Sequence, residues 1–405
     1  MACLWATAAA AGCAQDPTYG STLPPGSDGT SGAGGDGLSD VPDAPVVPVG
    51  PVMQGLHVVG NHIENSDGLT VKLRGVNRAG SEYQCTSKAG IFDGPATLAS
   101  IRVMAEWKIN AVRIPLNETC WLGINGLGAA LSGDAYRKAI VAFVNLFHQY
   151  HIVPILDLHW AAPGTTVADR LQPMPDADHA AAFWADVATT FIDDDGVIFE
   201  LFNEPFPDHN RDSVAGWSCW RDGCTANLSV PTGQPATTYQ AIGMQALLDA
   251  IRATGSKNLV LAGALQYSNT LSQWLTYAPV DPGANLGAAW HVYNFNACND
   301  PGCWDSVIAG VAAAVPIVTT ELGEATCGGT FIGSLLTWAD AHGLGYLAWT
   351  WNTWGACVAP VPPATMGGRP WALIRDFASG TPNSGYALTY HDHLAGAGDA
   401  VAASP

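Results

Sequence analysis

Two glutamates stand where an apolar, strand-like run gives way to a turn: Glu204 in FELFNEPFP (199–207) and Glu321 in PIVTTELGE (316–324). Each carboxylate is delivered from a buried segment to a loop containing Pro or Gly. A pair of opposed carboxylates is the minimal equipment for splitting a glycosidic bond. One holds a proton for the departing oxygen while the other, ionised, attacks the anomeric carbon or activates water. Other apolar runs end in Asn77-Arg78, Arg113, His159-Trp160, Asn203, His291 with Tyr293, and Trp349-Thr350-Trp351. Burying so many polar groups without partners would be costly, so their convergence on one site is the economical reading. Glu324 is the rival to Glu321. Glu118, in a Cys-containing loop, and Glu200, inside its strand and facing the helices, are expected to be structural. Asp157 lies two residues from His159 and shares its face of the strand.

The elements that must position these groups alternate along the chain. Short runs rich in β-branched or aliphatic residues cover 71–77, 110–116, 152–159, 197–203, 258–263, 287–293, 316–322 and 345–351. Helical stretches are expected at 97–107, 135–150, 178–193, 238–254, 304–314, 331–342 and 371–377. Eight such units predict an α/β fold, a (β/α)8 TIM barrel, whose site is built where strands end at the C-terminal face. LHVVG and HIENSDG predict a small N-terminal β-hairpin closing the barrel bottom, with Asp67-Gly68 as the turn.

Six strings in order, VRIPL, LDLHW, FNEP, WHVY, TELG and AWTWN, resemble glycoside hydrolase family 5, the large cellulase family of a retaining clan, over roughly 55–395. The resemblance implies Glu204 as acid/base and Glu321 as nucleophile. It implies that Arg113 keeps Glu321 ionised, that Asn203 binds the sugar 2-hydroxyl, and that His159 and His291 line the cleavage point. Tyr293 would orient the nucleophile through its hydroxyl. Trp349 would lie under the sugar ring, with Trp351 as the alternative register. The implied substrate is a β-linked polysaccharide or oligosaccharide, a β-glucan first and a β-mannan second. A non-catalytic glycan-binding barrel is the competing class, against which the retention of both glutamates argues. An esterase would need a GxSxG elbow, which is absent.

The protein has 405 residues, 35 acids against 16 Lys plus Arg, 48% apolar residues, 15 Trp and 10 Cys. A net charge of −19 without a basic run argues against nucleic acid as a partner. No apolar stretch is long enough for a transmembrane helix. Residues 1–13 read as a signal-like or lipoprotein-like segment. Ala10-Ala11-Gly12-Cys13 is similar to a lipobox, apart from Ala10 in place of Leu, which makes Cys13 a candidate lipid anchor. The alternative is plain cleavage nearby. Residues 14–52 form a Gly/Pro/Ser/Asp-rich linker, 53–395 the catalytic barrel and 396–405 a tail. Export predicts disulfides: local bridges at Cys219/Cys224 and Cys298/Cys303, with Cys85–Cys120 and Cys327–Cys357 following from the barrel topology. A secreted or surface-tethered monomer is expected. Neither CxxC nor clustered His spacing occurs, so no metal or other cofactor is expected. Trp121, Trp160, Trp217, Trp220, Trp304 and Trp354 fall in or beside loops as candidate sugar platforms, with Trp217 and Trp304 assigned to packing.

Overall fold

The computed structural model describes residues 53–357, 371–383, 385–398 and 400–403; the signal-like segment, Cys13 and the linker lie outside them. The strands are β1 (His57–Val59), β2 (His62–Glu64), β3 (Leu69–Val71), β4 (Arg74–Asn77), β5 (Ala111–Asn117), β6 (Val153–Trp160) and β7 (Ile198–Glu200). They continue as β8 (Cys224–Asn227), β9 (Thr238–Ala241), β10 (Val260–Ala262), β11 (Leu286–Tyr293), β12 (Ile317–Gly323), β13 (Gly345–Ala348) and β14 (Val401–Ala403). β4, β5, β6, β7, β10, β11, β12 and β13 close a parallel barrel in that order, β13 pairing back onto β4. Gly75 is required there, because a Cβ would lie 1.8 Å from the Ala111 carbonyl of the neighbouring strand.

Helices cover the outside as their spacing demands. Asp134–His148 buries Tyr136, Ile140, Phe143, Val144 and Phe147, an apolar stripe at helical period. Leu98–Glu106 begins with a Thr97/Ser100 capping box. Among the described residues no helix is long and apolar enough to cross a membrane.

Inside the barrel, period-two alternation points every second residue of a strand to the axis. Ala111, Val153, Ile155, Ile198, Leu259, Leu261, Ala289, Val318 and Leu347 form one apolar cluster with Leu56, Ile63, Val71 and Leu73. The N-terminal strands therefore plug the barrel bottom. They make a sheet larger than the expected hairpin: β1, β2, β3 and β14 pair antiparallel. Val71 belongs to this sheet, and the barrel strand expected to start there starts at Arg74. Residues 401–403, read as tail, supply the fourth strand.

Two helix expectations are corrected. Residues 238–241 are strand, because buried Tyr239 and Ala241 alternate with exposed Thr238 and Gln240; the helix begins only at Met244, after Gly243. Among 371–377 no α-helix forms: Ile374 bridges to Pro382, and the last α-helix among the described residues is Tyr386–Gly396. Four disulfides link Cys85–Cys120, Cys219–Cys224, Cys298–Cys303 and Cys327–Cys357, the expected pairing.

Candidate active site

Above the apolar layer the same inward positions turn polar. Arg113, one repeat above Ala111 on β5, is fully buried and uses its whole guanidinium fork. Its Nε donates to Glu200 (2.7 Å), Nη1 to Glu321 (2.7 Å) and Asn77 (3.1 Å), and Nη2 to Asn203 (2.8 Å). The same Nη2 lies 3.1 Å from Asp157. Glu200 therefore faces the barrel axis rather than the helices. Ile198 and Glu200 share the inner face, while Phe199 turns outward to pack on Trp184, 5.6 Å between ring centres.

Glu321 owes its aim to an irregularity. β11 and β12 pair Ala289 with Val318 but His291 with Glu321, two residues against three, and the register against β13 shifts in the same stretch. This bulge in β12 lets both Thr320 and Glu321 reach the interior. Thr320 donates to Glu200 at 3.0 Å, and Glu321 accepts from Arg113 and from the Tyr293 hydroxyl at 2.6 Å. Gly323 follows because a Cβ there would lie 2.8 Å from the Tyr293 ring.

His291 stands between the two carboxylates. Its Nδ1 is 3.1 Å from Glu204 and 3.7 Å from Glu321, and its Nε2 meets Thr320 Oγ1 at 3.1 Å. One ligand atom from each of Glu204, His291 and Glu321 lies within 4.8 Å of the others. Spacing alone would let a cation sit there, but Arg113, Tyr293 and Thr320 already engage these groups, and the guanidinium supplies the positive charge.

The environments push the two glutamates apart. Burial raises Glu204 above the usual carboxylate range and the Glu321 charge adds to this, against the hydrogen bond to His291. Burial alone would raise Glu321 too, but the His291 imidazole and the Arg113 guanidinium hold it below that range. Burial opposes charging of His291, yet Glu321, Glu200 and Glu204 together bring it up to about 9. One carboxyl is thereby poised to carry a proton while its neighbour stays ionised.

Near the end of β6, His159 places its Nδ1 2.9 Å from Asp157. Its ring is stacked on Trp349, 5.7 Å between centres with planes 9° apart. Trp349 is half-buried, whereas Trp351 is fully buried against Trp107, 4.8 Å between ring centres, which decides the register. All eight sequence-predicted site residues thus gather at the C-terminal end of the barrel. Trp160 and Trp354 are partly exposed; Trp121 and Trp220 are buried, as are Trp217 and Trp304, and so cannot be sugar platforms. Trp121 donates to Asp186 and Trp220 to the Gly263 carbonyl, both at 2.7 Å, so each indole is a capped packing residue. Glu118 is fully buried at the start of a short helix, where it accepts from the Ala162 amide. Glu324 is also buried and accepts from Thr326 at 2.5 Å and from the Ile332 amide, away from Arg113.

Asn77, read from its run end as converging on the site, accepts from Arg113 as that reading requires, whereas Thr320 completes the network without having been singled out, the bulge on β12 being the signal that marks it. Glu82 was also missed. It is buried in the loop after β4, accepts from the Gly80 amide at 2.6 Å, and is pushed up to about 7 chiefly by burial.

An eight-stranded barrel with two glutamates at the ends of its fourth and seventh strands, bridged by a histidine, the second of them seated on an arginine, defines the class. The family model for cellulase (glycosyl hydrolase family 5) matches residues 65–355, and the chain belongs to that family. A mannan endo-1,4-β-mannosidase of Streptomyces lividans is 23% identical over 311 residues, 74% of this chain. The match spans 66% of that enzyme's length. Among solved structures, a β-glucanase of Saccharophagus degradans in complex with cellotetraose superposes with a TM-score of 0.60 at 19% identity, covering 84% of this chain and 92% of that one. A β-mannanase of Thermomonospora fusca gives 0.55 at 16% identity, covering 83% and 97%.

Proposed function

We propose that the protein is a retaining endo-β-1,4-glycanase, with β-1,4-glucan as the leading substrate. The observation that carries this reading is the juxtaposition of Glu204 and Glu321 within 4.8 Å in opposite electrostatic environments. That spacing favours direct attack over a water held between the carboxylates, which needs roughly 6.5–9.5 Å. Glu321 attacks the anomeric carbon as Glu204 passes its proton to the departing oxygen. The glycosyl-enzyme bond then removes the nucleophile's charge, Glu204 takes a proton from water, and the hydroxide displaces Glu321. Arg113 and Tyr293 hold the nucleophile in place, and Asn203, itself held by Arg113, reaches the sugar 2-hydroxyl. Trp349 and His159 form the wall against which the ring lies. The β-glucanase likeness supports glucan, and the curated mannosidase relative supports β-mannan as the second reading.

Export is part of the proposal and is supported by the four disulfides. The intact mass of the membrane-fraction protein tests for an acyl group on Cys13.

The decisive experiment measures reducing ends released from carboxymethylcellulose, lichenan, glucomannan, xylan and β-mannan. Wild type, Glu204→Gln and Glu321→Gln are compared, and NMR follows the anomer first formed. Wild type is expected to release the β-anomer, and each variant to lose roughly 10³-fold or more. Undiminished activity in Glu321→Gln, or release of the α-anomer, overturns the assignment; inactivity of wild type on every polymer favours a binding protein.

A further inference from the structure

His159 is the extra residue of a second bulge. Leu116 of β5 pairs with Leu158 of β6, but Asn117 pairs with Trp160, so one step along β5 faces two along β6. A bulged residue leaves the alternation of its strand, and its side chain points where its own bonds direct it. For His159 that bond is the 2.9 Å contact of Nδ1 with Asp157 Oδ2. The other ring nitrogen, Nε2, has no hydrogen-bond partner among the described residues. The ring is stacked on the half-buried Trp349, and its charge reaches both Glu204 and Glu321.

Asp157 is a poor choice for its position if filling space is its task. It is fully buried, and its Oδ1 meets no donor among the described residues, which is costly for a carboxylate. Both of its contacts fall on Oδ2, which takes His159 Nδ1 and, at 3.1 Å, Arg113 Nη2. That same Nη2 donates to Asn203 at 2.8 Å. His159, Asp157, Arg113 and Asn203 therefore form one chain of contacts joining β6, β5 and the segment after β7. An amide of the same size would fill the volume without burying a charge.

The buried charges bear on the proton that His159 carries. Asp157, Glu200 and Glu321 surround the single guanidinium of Arg113, and His291, brought up to about 9 despite its burial, adds a second cation. An imidazolium at His159 balances the third carboxylate, with Glu204 holding its own proton. Burial opposes a charge on His159, but Asp157 beside it raises its pKa above the ordinary imidazole value, aided by Glu82 and against Arg113. Burial also raises Asp157, against the pull of Arg113 and His159. The ionisable groups coupled to the ring are Asp157 on its own strand, Arg113 on β5, Glu82 in the loop after β4, and the pair Glu204 and Glu321.

We infer that Asp157 is the positioning residue of His159: it holds the ring protonated at both nitrogens with Nδ1 turned toward itself, which leaves Nε2–H as a donor for an oxygen of the bound sugar. Without Asp157 a neutral ring keeps one proton, and with that proton on Nδ1 the nitrogen offered to substrate changes from donor to acceptor. Arg113 holds the same carboxylate oxygen from the other side, so the directions of His159 and Asn203 are set from one guanidinium nitrogen. The inference rests on the glycanase reading only for the identity of the acceptor; the charge and orientation of the ring are independent of it.

Histidine-selective nitrogen-15 labelling reads the ring directly. In two-bond proton–nitrogen spectra at pH 7, the ring whose signals vanish in His159→Gln is expected to be protonated at both nitrogens in wild type and to lose one proton in Asp157→Asn. A wild-type ring with one bare nitrogen overturns the proposal, and that result stands even if Asp157→Asn fails to fold. Kinetics on cellopentaose and mannopentaose give the second readout. Asp157→Asn is expected to lower kcat/KM about 10- to 100-fold in wild type, the value of one hydrogen bond to a charged group, but at most about threefold in the His159→Gln background. An equal loss in both backgrounds would mean that Asp157 acts on Arg113 or on packing alone, and overturns the proposal as well. If wild type cleaves no β-glycan while the ring is doubly protonated, the glycanase reading alone fails. If it cleaves them and the ring is neutral, the Asp157 assignment alone fails.

Discussion

The lower and upper halves of the barrel interior are made by the same strands with the same alternation, yet they hold opposite chemistry. On β5, Ala111 lies below Arg113; on β6, Val153 and Ile155 lie below Asp157 and His159; on β7, Ile198 lies below Glu200. Two residues, one repeat of the strand, separate close-packed hydrocarbon from a network in which one guanidinium meets three carboxylates. The lower layer is plugged by β1 to β3 and is stabilised by burial, which is non-directional. The upper layer is held by directional pairs whose value depends on every partner being present. Stability and catalysis are thus divided by height along the axis, as the strand-end rule for such barrels requires.

The largest departure from this division comes from removing the charge at the junction. Arg113→Met leaves Asp157, Glu200 and Glu321 buried around a hydrocarbon, and breaking a buried ion pair typically costs about 3–5 kcal/mol. In the native protein Arg113 lowers Glu200 and Glu321, so their contribution is present at neutral pH and is lost as pH falls through their depressed values. Without the guanidinium the buried carboxyls sit above their unfolded values and bind protons in the folded state. The deficit is therefore expected to be larger at pH 7.5 than at pH 5, read by urea denaturation at both. Equal deficits at the two pH values would show that packing, and not charge, made the difference.

A smaller effect is expected where the network touches the reacting groups. His291 lowers both glutamates, Glu204 through its hydrogen bond and Glu321 through its charge. In His291→Gln both rise. With Glu321 proposed as nucleophile and Glu204 as proton donor, the acid limb of the kcat/KM profile follows protonation of Glu321 and the alkaline limb follows loss of the Glu204 proton, and both are expected to move to higher pH together. The measurement is the profile on one soluble glycan across pH 3–10. A shift of one limb alone would mean that His291 serves only one carboxylate.

Much of the barrel and the gathering of its polar ends was legible because both follow from local patterns. Seven of the eight apolar runs ended in a chemically distinctive residue, the run at 258–263 closing on Ala262-Gly263 instead, and alternation carried Asp157 inward with His159. What escaped depended on contacts between distant segments. Glu200 was assigned outward because a charge within an apolar run suggests a helix-facing edge; parity with Ile198 would have turned it inward, toward an arginine 87 residues away. Strand β9 was absorbed into a helix because Tyr239 and Ala241 precede a true amphipathic stretch, and only Gly243 marks the break. Trp121 and Trp220 read as exposed platforms because loop position is visible in sequence, while the acceptors that let an indole be buried, Asp186 and the Gly263 carbonyl, are not.

The smallest effect belongs to the lower layer and is the sharpest check on the division. Ile155 is fully buried in the apolar cluster and stands two residues before Asp157 on the same face of β6. Ile155→Val removes one methylene group, and such deletions cost about 0.5–1.5 kcal/mol through lost transfer energy and a small cavity. The polar layer above is fixed by its own hydrogen bonds, so a methylene-sized void below it has no directional partner to displace. Urea denaturation is expected to register the loss, while kcat/KM at the pH optimum stays within about twofold of wild type. A fall of tenfold or more would mean that the hydrocarbon layer sets the position of Asp157 and, through Arg113, of Glu321, and that the two halves are one mechanical unit.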